Sequence, residues 1–401
     1  MIEPRLRFKA DDGSDFPDWE EKILGELGTF TKGAALSKAD ISDEGNPLIL
    51  YGELYTTYKE VAYEVKRKTQ AIVDKIYYSN VGDVLIPTSG ESAEEISTAT
   101  CVMVPNVILA GDLNIFRSTV IDGRIMSYIL NYQAKWKIAT IAQGKSIVHI
   151  QAKQLGKIFV EYPVDKDEQQ KIADFLSTID TIIEKQWVTV SAWEERKKGV
   201  MQKLFSQEVR FKADDGSDFP DWEEKRLGDV FEERTERSVG GEELLSVTIS
   251  QGVIRQSDSD KRNNSSENKS NYKVVKKNDL AYNTMRMWQG AEGVSDFDGI
   301  VSPAYTVVTP LDGNNGKYFE IFFKQISMLH LFQRYSQGLT SDTWNLKFPS
   351  FAKIKCCVPC EKEQNKIVNC IVLLDTVIQK QKETLEKWQE LKKGLLQQMF
   401  V

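Results

Sequence analysis

The sequence predicts an α+β chain. Two globular mixed α/β domains are separated by two long helices forming an antiparallel coiled coil, and the halves are related as a pseudo-twofold internal duplication. Three observations predict this. An apolar edge with heptad spacing occurs twice, a block of 16 residues (Arg7–Lys22) recurs identically at Arg210–Lys225, and the stretches between them are β-rich runs broken by turn residues.

The helices come first. Ile172, Leu176, Ile179, Ile183, Gln186, Val190, Trp193, Lys197, Val200 and Leu204 step by four and three without a break. The second copy is Ile367, Ile371, Leu374, Ile378, Gln381, Leu385, Trp388, Lys392, Leu395 and Met399. Asp180-Thr181 recurs as Asp375-Thr376, and Lys197-Lys198-Gly199 as Lys392-Lys393-Gly394. Helices with the same buried edge are expected to pack on each other, with Gln186 and Gln381 setting register at the seam. At 1.5 Å per residue, Gln170–Phe205 is roughly 50 Å of rod. Gly199 and Gly394 weaken each helix near its end. They either let the helices approach or open a groove for helices of a partner.

The repeated block fixes the boundaries. Arg-Phe-Lys-Ala-Asp-Asp-Gly-Ser-Asp-Phe-Pro-Asp-Trp-Glu-Glu-Lys opens each half, and Pro163 with Glu168-Gln169 returns as Pro359 with Glu363-Gln364. The expected segments are 1–165, a first globular domain; 166–208, the central helix; 209–361, a second globular domain; and 362–401, the C-terminal helix. A period this long is a domain duplication and not a solenoid.

Bulk composition sets limits. A length of 401 residues suggests more than one core. No apolar run reaches membrane length, so no membrane partner is expected. Five cysteines do not make a disulfide framework, and a reducing cytoplasm is the expected compartment. The net charge of −7 argues against nucleic acid taken alone. Its distribution does not: 10–21 and 213–224 each carry six acids and no Lys or Arg, as a solvated turn or a basic-partner contact. From Gly252 to Ala291 there are instead eight Lys/Arg against four Asp/Glu.

In the first variable stretch, strands are expected at Asn46–Gly52, Asp83–Pro87, Cys101–Val104 and Leu113–Ser118, and a helix at Ser127–Trp136. In the second, strands are expected at Leu245–Ser250, Asp279–Asn283 and Gly299–Val308, and a helix at Tyr318–Gln333. Gly338–Asn345 mirrors Lys145–His149 in position.

Catalytic sets are missing from the sequence. There is no phosphate-binding Gly-rich loop ending in Lys-Ser/Thr. Asn46-Pro47-Leu48-Ile49 lacks the second proline and the aromatic of an amino-methyltransferase motif. His149 and His330 are too few for a His-based triad. Cys357 and Cys360 have a Cys-x-x-Cys spacing, but zinc needs four ligands and the first-half counterparts Val160, Glu161 and Val164 are not cysteines. No catalytic residue and no metal is expected.

The ordered set resembles the DNA-specificity subunit of type I restriction-modification systems. It is carried by the duplication, the Pro…Glu-Gln-x-Lys-Ile helix start, the Leu/Ile-Asp-Thr-Val/Ile-Ile core and the Trp-x-x-x-Lys-Lys-Gly-Leu/Val exit. The resemblance implies two target-recognition domains, each reading one half of a bipartite double-stranded DNA site. The rod would set the gap and dock two modification subunits. S-adenosylmethionine is then expected in those partners, with no cofactor in this chain, and restriction/translocase subunits are further partners it leaves open. The other class weighed is a coiled-coil scaffold presenting two variable protein-binding domains.

Base edges are read by Arg, Asn and Gln, and phosphates by Lys and Arg. The DNA-binding candidates of the first domain are Tyr55, Thr56, Lys66, Arg67, Thr88, Ser89, Lys145, Ser146 and His149. Those of the second are Lys261, Arg262, Asn263, Asn264, Lys276, Lys277, Asn283, Arg286, Gln289, Trp344 and Asn345. Seam residues Ile172–Trp193 and Ile367–Trp388 are the candidate coiled-coil and partner interface.

Overall fold

The computed structural model describes residues 4–144, 147–259, 263 and 265–400. Its class is α+β, with two mixed units and two helices of 40 residues, Lys166–Phe205 and Glu361–Phe400. One unit comprises Met1–Thr189 with Gln381–Val401, the other Val190–Lys380. Each unit thus holds part of both helices, whereas the sequence boundaries give each helix its own segment.

Both helices start six residues before the heptad edge, which opens at Ile172 and Ile367. Asp165 explains the first: its Oδ1 accepts from the amides of Asp167 (2.8 Å) and Glu168 (3.2 Å), satisfying donors that the helix leaves open. Acids in the first turn, Asp167 and Glu168 or Glu361 and Glu363, suit the positive end of the helix.

In the first unit a five-stranded sheet runs in the order Thr29–Lys32, Leu113–Arg117, Asp83–Pro87, Thr100–Val102, Val61–Ala62. A three-stranded sheet joins Arg67–Thr69, Asn46–Leu50 and Ile108–Ala110. The expected helix at Ser127–Trp136 is two helices, Gly123–Asn131 and Lys135–Ile141. The amide of Ala134 reaches back to Ile129 O, five residues earlier, and closes the first one. The core joins Ile125, Tyr128 and Ile129 to Ile172, Leu176, Leu396, Met399 and Phe400.

In the second unit a four-stranded sheet runs Phe231–Glu233, Tyr305–Pro310, Leu280–Asn283, Glu292–Val294. The strand expected at Gly299–Val308 is two strands, Gly299–Val301 and Tyr305–Pro310. Pro303 has no amide to give a ladder, and Tyr305 N closes a turn on Ser302 O. The helix expected at Tyr318–Gln333 also divides, into Gly316–Phe323 and Ile326–Tyr335, because Gln325 is extended (φ −69°, ψ 141°). The core is unusually aromatic: Phe231, Tyr318, Phe319, Phe323, Phe332 and Phe351 are buried, with ring pairs such as Phe323–Phe332 at 5.1 Å.

The repeated block has the same job in each unit. Arg7 reaches Glu168 through Nε (3.1 Å) and Nη2 (3.0 Å), and Trp19 Nε1 donates to the same carboxylate at 3.3 Å. Arg210 grips Glu363 through Nε (3.0 Å) and Nη2 (2.7 Å), and Trp222 Nε1 donates at 3.1 Å. Lys171 bonds Lys9 O and Asp11, as Lys366 bonds Lys212 O and Asp214. Several acids of the turn are therefore held by the helix they precede or, like Asp12 under Ser14, by the turn itself.

Candidate nucleic-acid interface

Two strand ends carry the candidate surface. In the first unit Asp83–Pro87 runs into Thr88, and in the second Leu280–Asn283 runs into Thr284. An arginine steadies the root of each: Arg117 Nε lies 3.1 Å from both oxygens of Asp83, and Arg234 grips Asp279 at 2.6 and 3.0 Å. Burial pushes the Asp83 carboxyl upward despite Arg117.

A hairpin returns to each strand end. Thr88 O accepts from Ile150 N (3.0 Å), and Thr284 O from Leu346 N (2.8 Å). One hairpin closes on a bridge between Gln143 and His149, the other on a bridge between Gln337 and Asn345. The glycine after each Gln has a left-handed φ, 142° at Gly144 and 139° at Gly338. A Cβ would lie 1.9 Å from Ile147 O or 2.5 Å from Thr343 O, so only glycine allows either turn. The sequence placed these regions in correspondence by position. The link to a threonine carbonyl is long-range and has no local signature.

Thr88 and His149 line one cleft of the first unit, with Lys32, Asn114, Gln151 and Lys153. Composition did not single out those four. Lys32 ends a strand, Gln151 caps a short helix, and Asn114 Nδ2 holds Ile150 O at 3.2 Å. Tyr55 and Ser89 lie beneath: Tyr55 donates to Ser89 O (2.8 Å), and Ser89 Oγ to Asp112 (2.6 Å). Burial raises the Tyr55 phenol well above its usual range. Thr56 is exposed and bonds Gly52 O of its own turn. Lys66 lines a different groove, beside Tyr63, Asp180 and Trp187, and Arg67 pairs with Glu53 at 3.4 Å. Lys145 and Ser146 lie outside the described residues.

In the second unit Asn283, Arg286 and Gln289 share one loop, and the segment of Trp344 and Asn345 is fastened to it through Leu346 N on Thr284 O. Asn283 Oδ1 accepts from Met285 N (3.0 Å), and Trp288 packs edge-on against Trp344 at 5.2 Å. Arg286 and Gln289 are exposed. Just past the loop, Glu292 is fully buried, its oxygens without a hydrogen bond among the described residues. Burial holds its carboxyl far above the usual range, and Lys324 at 3.9 Å only partly opposes this.

The lysines chosen on charge sit elsewhere. Lys276 pairs with Asp298 (3.3 Å), and Lys277 N bonds the same residue. Both precede the strand that ends at Asn283, so the strand's own length, about 13 Å at ~3.3 Å per residue, separates them from Arg286. Asn263 is exposed and accepts from Ser265 N. Lys261, Arg262 and Asn264 lie outside the described residues.

Of the candidate seam residues, Ile172, Leu176, Ile179, Ile183, Val190, Ile367, Ile371 and Ile378 are buried. Gln186, Trp193, Leu374, Gln381, Leu385 and Trp388 are half-buried. Gln186 Nε2 donates to Gln381 Oε1 (2.8 Å) and to its carbonyl (2.9 Å).

Residues 17–188 and 220–387 match the family described as Type I restriction modification DNA specificity domain, and the chain belongs to that family. It is similar to the type I restriction enzyme MjaVIII specificity subunit of Methanocaldococcus jannaschii, 26% identical over 230 residues. That match covers 56% of this chain and 52% of the relative, so the aligned part spans about half the relative's length. The fold is similar to a type I restriction-modification S subunit from M. genitalium, with TM-score 0.61, 15% identity, and 100% and 99% of the two chains covered. A second solved chain, from work on complex assembly and conformational transition of the type I R-M system, gives TM-score 0.53 at 14% identity, covering 96% and 98%.

Proposed function

We propose that this chain is the DNA-specificity subunit of a type I restriction-modification complex. Each unit reads one half of a split double-stranded site. The carrying observation is the strand-end threonine bound to a Gln-Gly hairpin, built twice on one plan but with different exposed side chains. A common frame with divergent tips suits two domains that read two different base sequences.

In this reading the long helices form an antiparallel coiled coil about a pseudo-twofold axis. The reciprocal pairs Asp180–Lys392 and Lys197–Asp375 support that arrangement. The coil sets the unread gap and docks two modification subunits. Those partners hold S-adenosylmethionine and flip the target adenine, which this chain does not do. The cytoplasm is the proposed compartment.

The test is a methylation map. The chain is expressed with a modification subunit in a methylation-free host, and modified adenines are read across the genome. A split motif that disappears without this chain is expected. No new methylation from an assembled complex would refute the reading.

A further inference from the structure

The hairpin of the second unit ends in an apolar side chain with nothing to cover it. Leu339 is fully exposed. Single exposed leucines are ordinary on a protein surface, so exposure alone says little. The way Leu339 is held says more. Gln337 and Asn345 exchange both backbone bonds, at 3.0 and 2.8 Å. The turn beyond is closed by Thr343 N and Trp344 N on Thr340 O, and by Thr340 N on Thr343 Oγ1. Gly338 makes the sharp bend just before the leucine. The tip is thus a closed turn with its apolar side chain turned outward.

The same hairpin is fastened to the loop that offers polar readers. Leu346 N is bound to Thr284 O, and Trp344 packs on Trp288. That loop exposes Met285, Arg286 and Gln289. Trp288 Nε1 donates to Met285 O (3.1 Å), which fixes the loop's shape. The Arg286 and Gln289 side chains have no hydrogen bond or ion pair among the described residues, so their donors are available to a ligand. Arg and Gln are the side chains that read guanine and adenine two bonds at a time, and only the major groove gives them an unambiguous pattern. The feature of the major groove that no donor or acceptor reads is the thymine 5-methyl group, which takes an apolar contact.

We infer that Leu339 is a specificity-determining residue that contacts the 5-methyl of a thymine in the major groove, beside bases read by Arg286 and Gln289. This rests on the DNA reading proposed above. The sequence points to no such role, because an isolated leucine between Gly338 and Thr340 carries no periodic signal.

The test uses the complex with modification subunits and a duplex bearing the mapped site. Each thymine in turn is replaced by uracil, which removes the methyl and nothing else. Wild-type complex should lose roughly three- to tenfold in affinity at one thymine. That thymine should lie in the half-site whose reading changes in R286A. L339N should bind thymine and uracil duplexes equally at that position and keep the wild-type response in the other half-site. Because Leu339 touches no core, L339N should melt with wild type. A wild-type thymine/uracil ratio retained in L339N would overturn the inference, as would a half-site containing only G·C pairs. Failure of the wild-type complex to prefer its mapped site would remove the DNA reading itself, and is seen before any variant is compared.

Discussion

Lys392 Nζ lies 2.7 Å from Asp180 Oδ1, joining the repeated Lys-Lys-Gly of one helix to the repeated Asp-Thr of the other. The same ammonium lies 2.8 Å from Glu60, and Tyr128 donates to the second Asp180 oxygen at 2.8 Å. The reciprocal pair, Lys197 with Asp375 at 2.5 Å, has no second carboxylate or tyrosine bonded to it among the described residues. Side-chain exposure is 10% for Lys392 and 24% for Asp180, but 27% and 52% for Lys197 and Asp375. The same two repeat positions therefore form a buried ion cluster in one unit and a more exposed pair in the other.

Lys392→Met should be much the more damaging change. It leaves Glu60 and Asp180 without their cation in a poorly solvated place, at a cost of about 3 kcal/mol or more. Lys197→Met should cost no more than about 1 kcal/mol, since solvent replaces what is lost. Native-state hydrogen exchange separates the two, because each variant should lower protection in its own unit. Equal effects from both variants would contradict this assignment.

The cluster also sets a pH profile. Burial alone would raise the Glu60 carboxyl, but Lys392 outweighs it and holds it below its ordinary value. Its contribution is present above the unfolded carboxylate value, about 4.3, and is lost as pH falls through the lower folded value. Burial alone would lower the Lys392 ammonium, but Glu60 and Asp180 outweigh it and hold it above its ordinary value. Its contribution is present below about pH 10.4 and is lost as pH rises through the higher folded value. Urea unfolding across pH should show a plateau between these limits. In K392M the acid limb should reverse, because Glu60 is then buried without its counter-ion and destabilises the unit as it ionises. An unchanged acid limb in that variant would assign the limb to other groups.

How much of this was legible varies with the physics involved. The long helices were, because one heptad edge repeated over many turns outweighs local propensity, and Asp83–Pro87 was, because its apolar run is short and bounded. The helix starts, expected at 166 and 362, lie at Lys166 and Glu361, where first-turn acids suit the positive end of a helix. Pro303 divided a strand that β-propensity alone joined. In the site, Arg286 and Gln289 lie exposed on the loop after a strand, and Trp344 meets that loop through Trp288. Lys276 and Lys277 were chosen on charge. Charge carries no information on which end of a strand a lysine occupies, and they precede the strand whose far end carries Arg286. Thr284, Leu346 and Leu339 gave no signal, because the bond that assembles them joins residues about sixty positions apart.

The identical block makes a prediction of its own. Arg210 neutralises Glu363, whose side chain is 1% exposed, and Arg7 does the same for Glu168 at 0%. Removing either arginine leaves a buried carboxylate with one indole donor, which should cost about 3–5 kcal/mol in the unit concerned. It also frees the turn from the helix start. Arg210→Met should therefore open 210–225 to trypsin at Lys212 and Lys225 while Lys9 and Lys22 stay as protected as in wild type. Arg7→Met should do the reverse. Arg210→Lys should fall between, since an ammonium cannot reproduce the two-bond grip of a guanidinium. If both segments opened together in either variant, the clasp would not be local to its unit. Conservation of all 16 residues between halves would then need a cause other than holding each helix start.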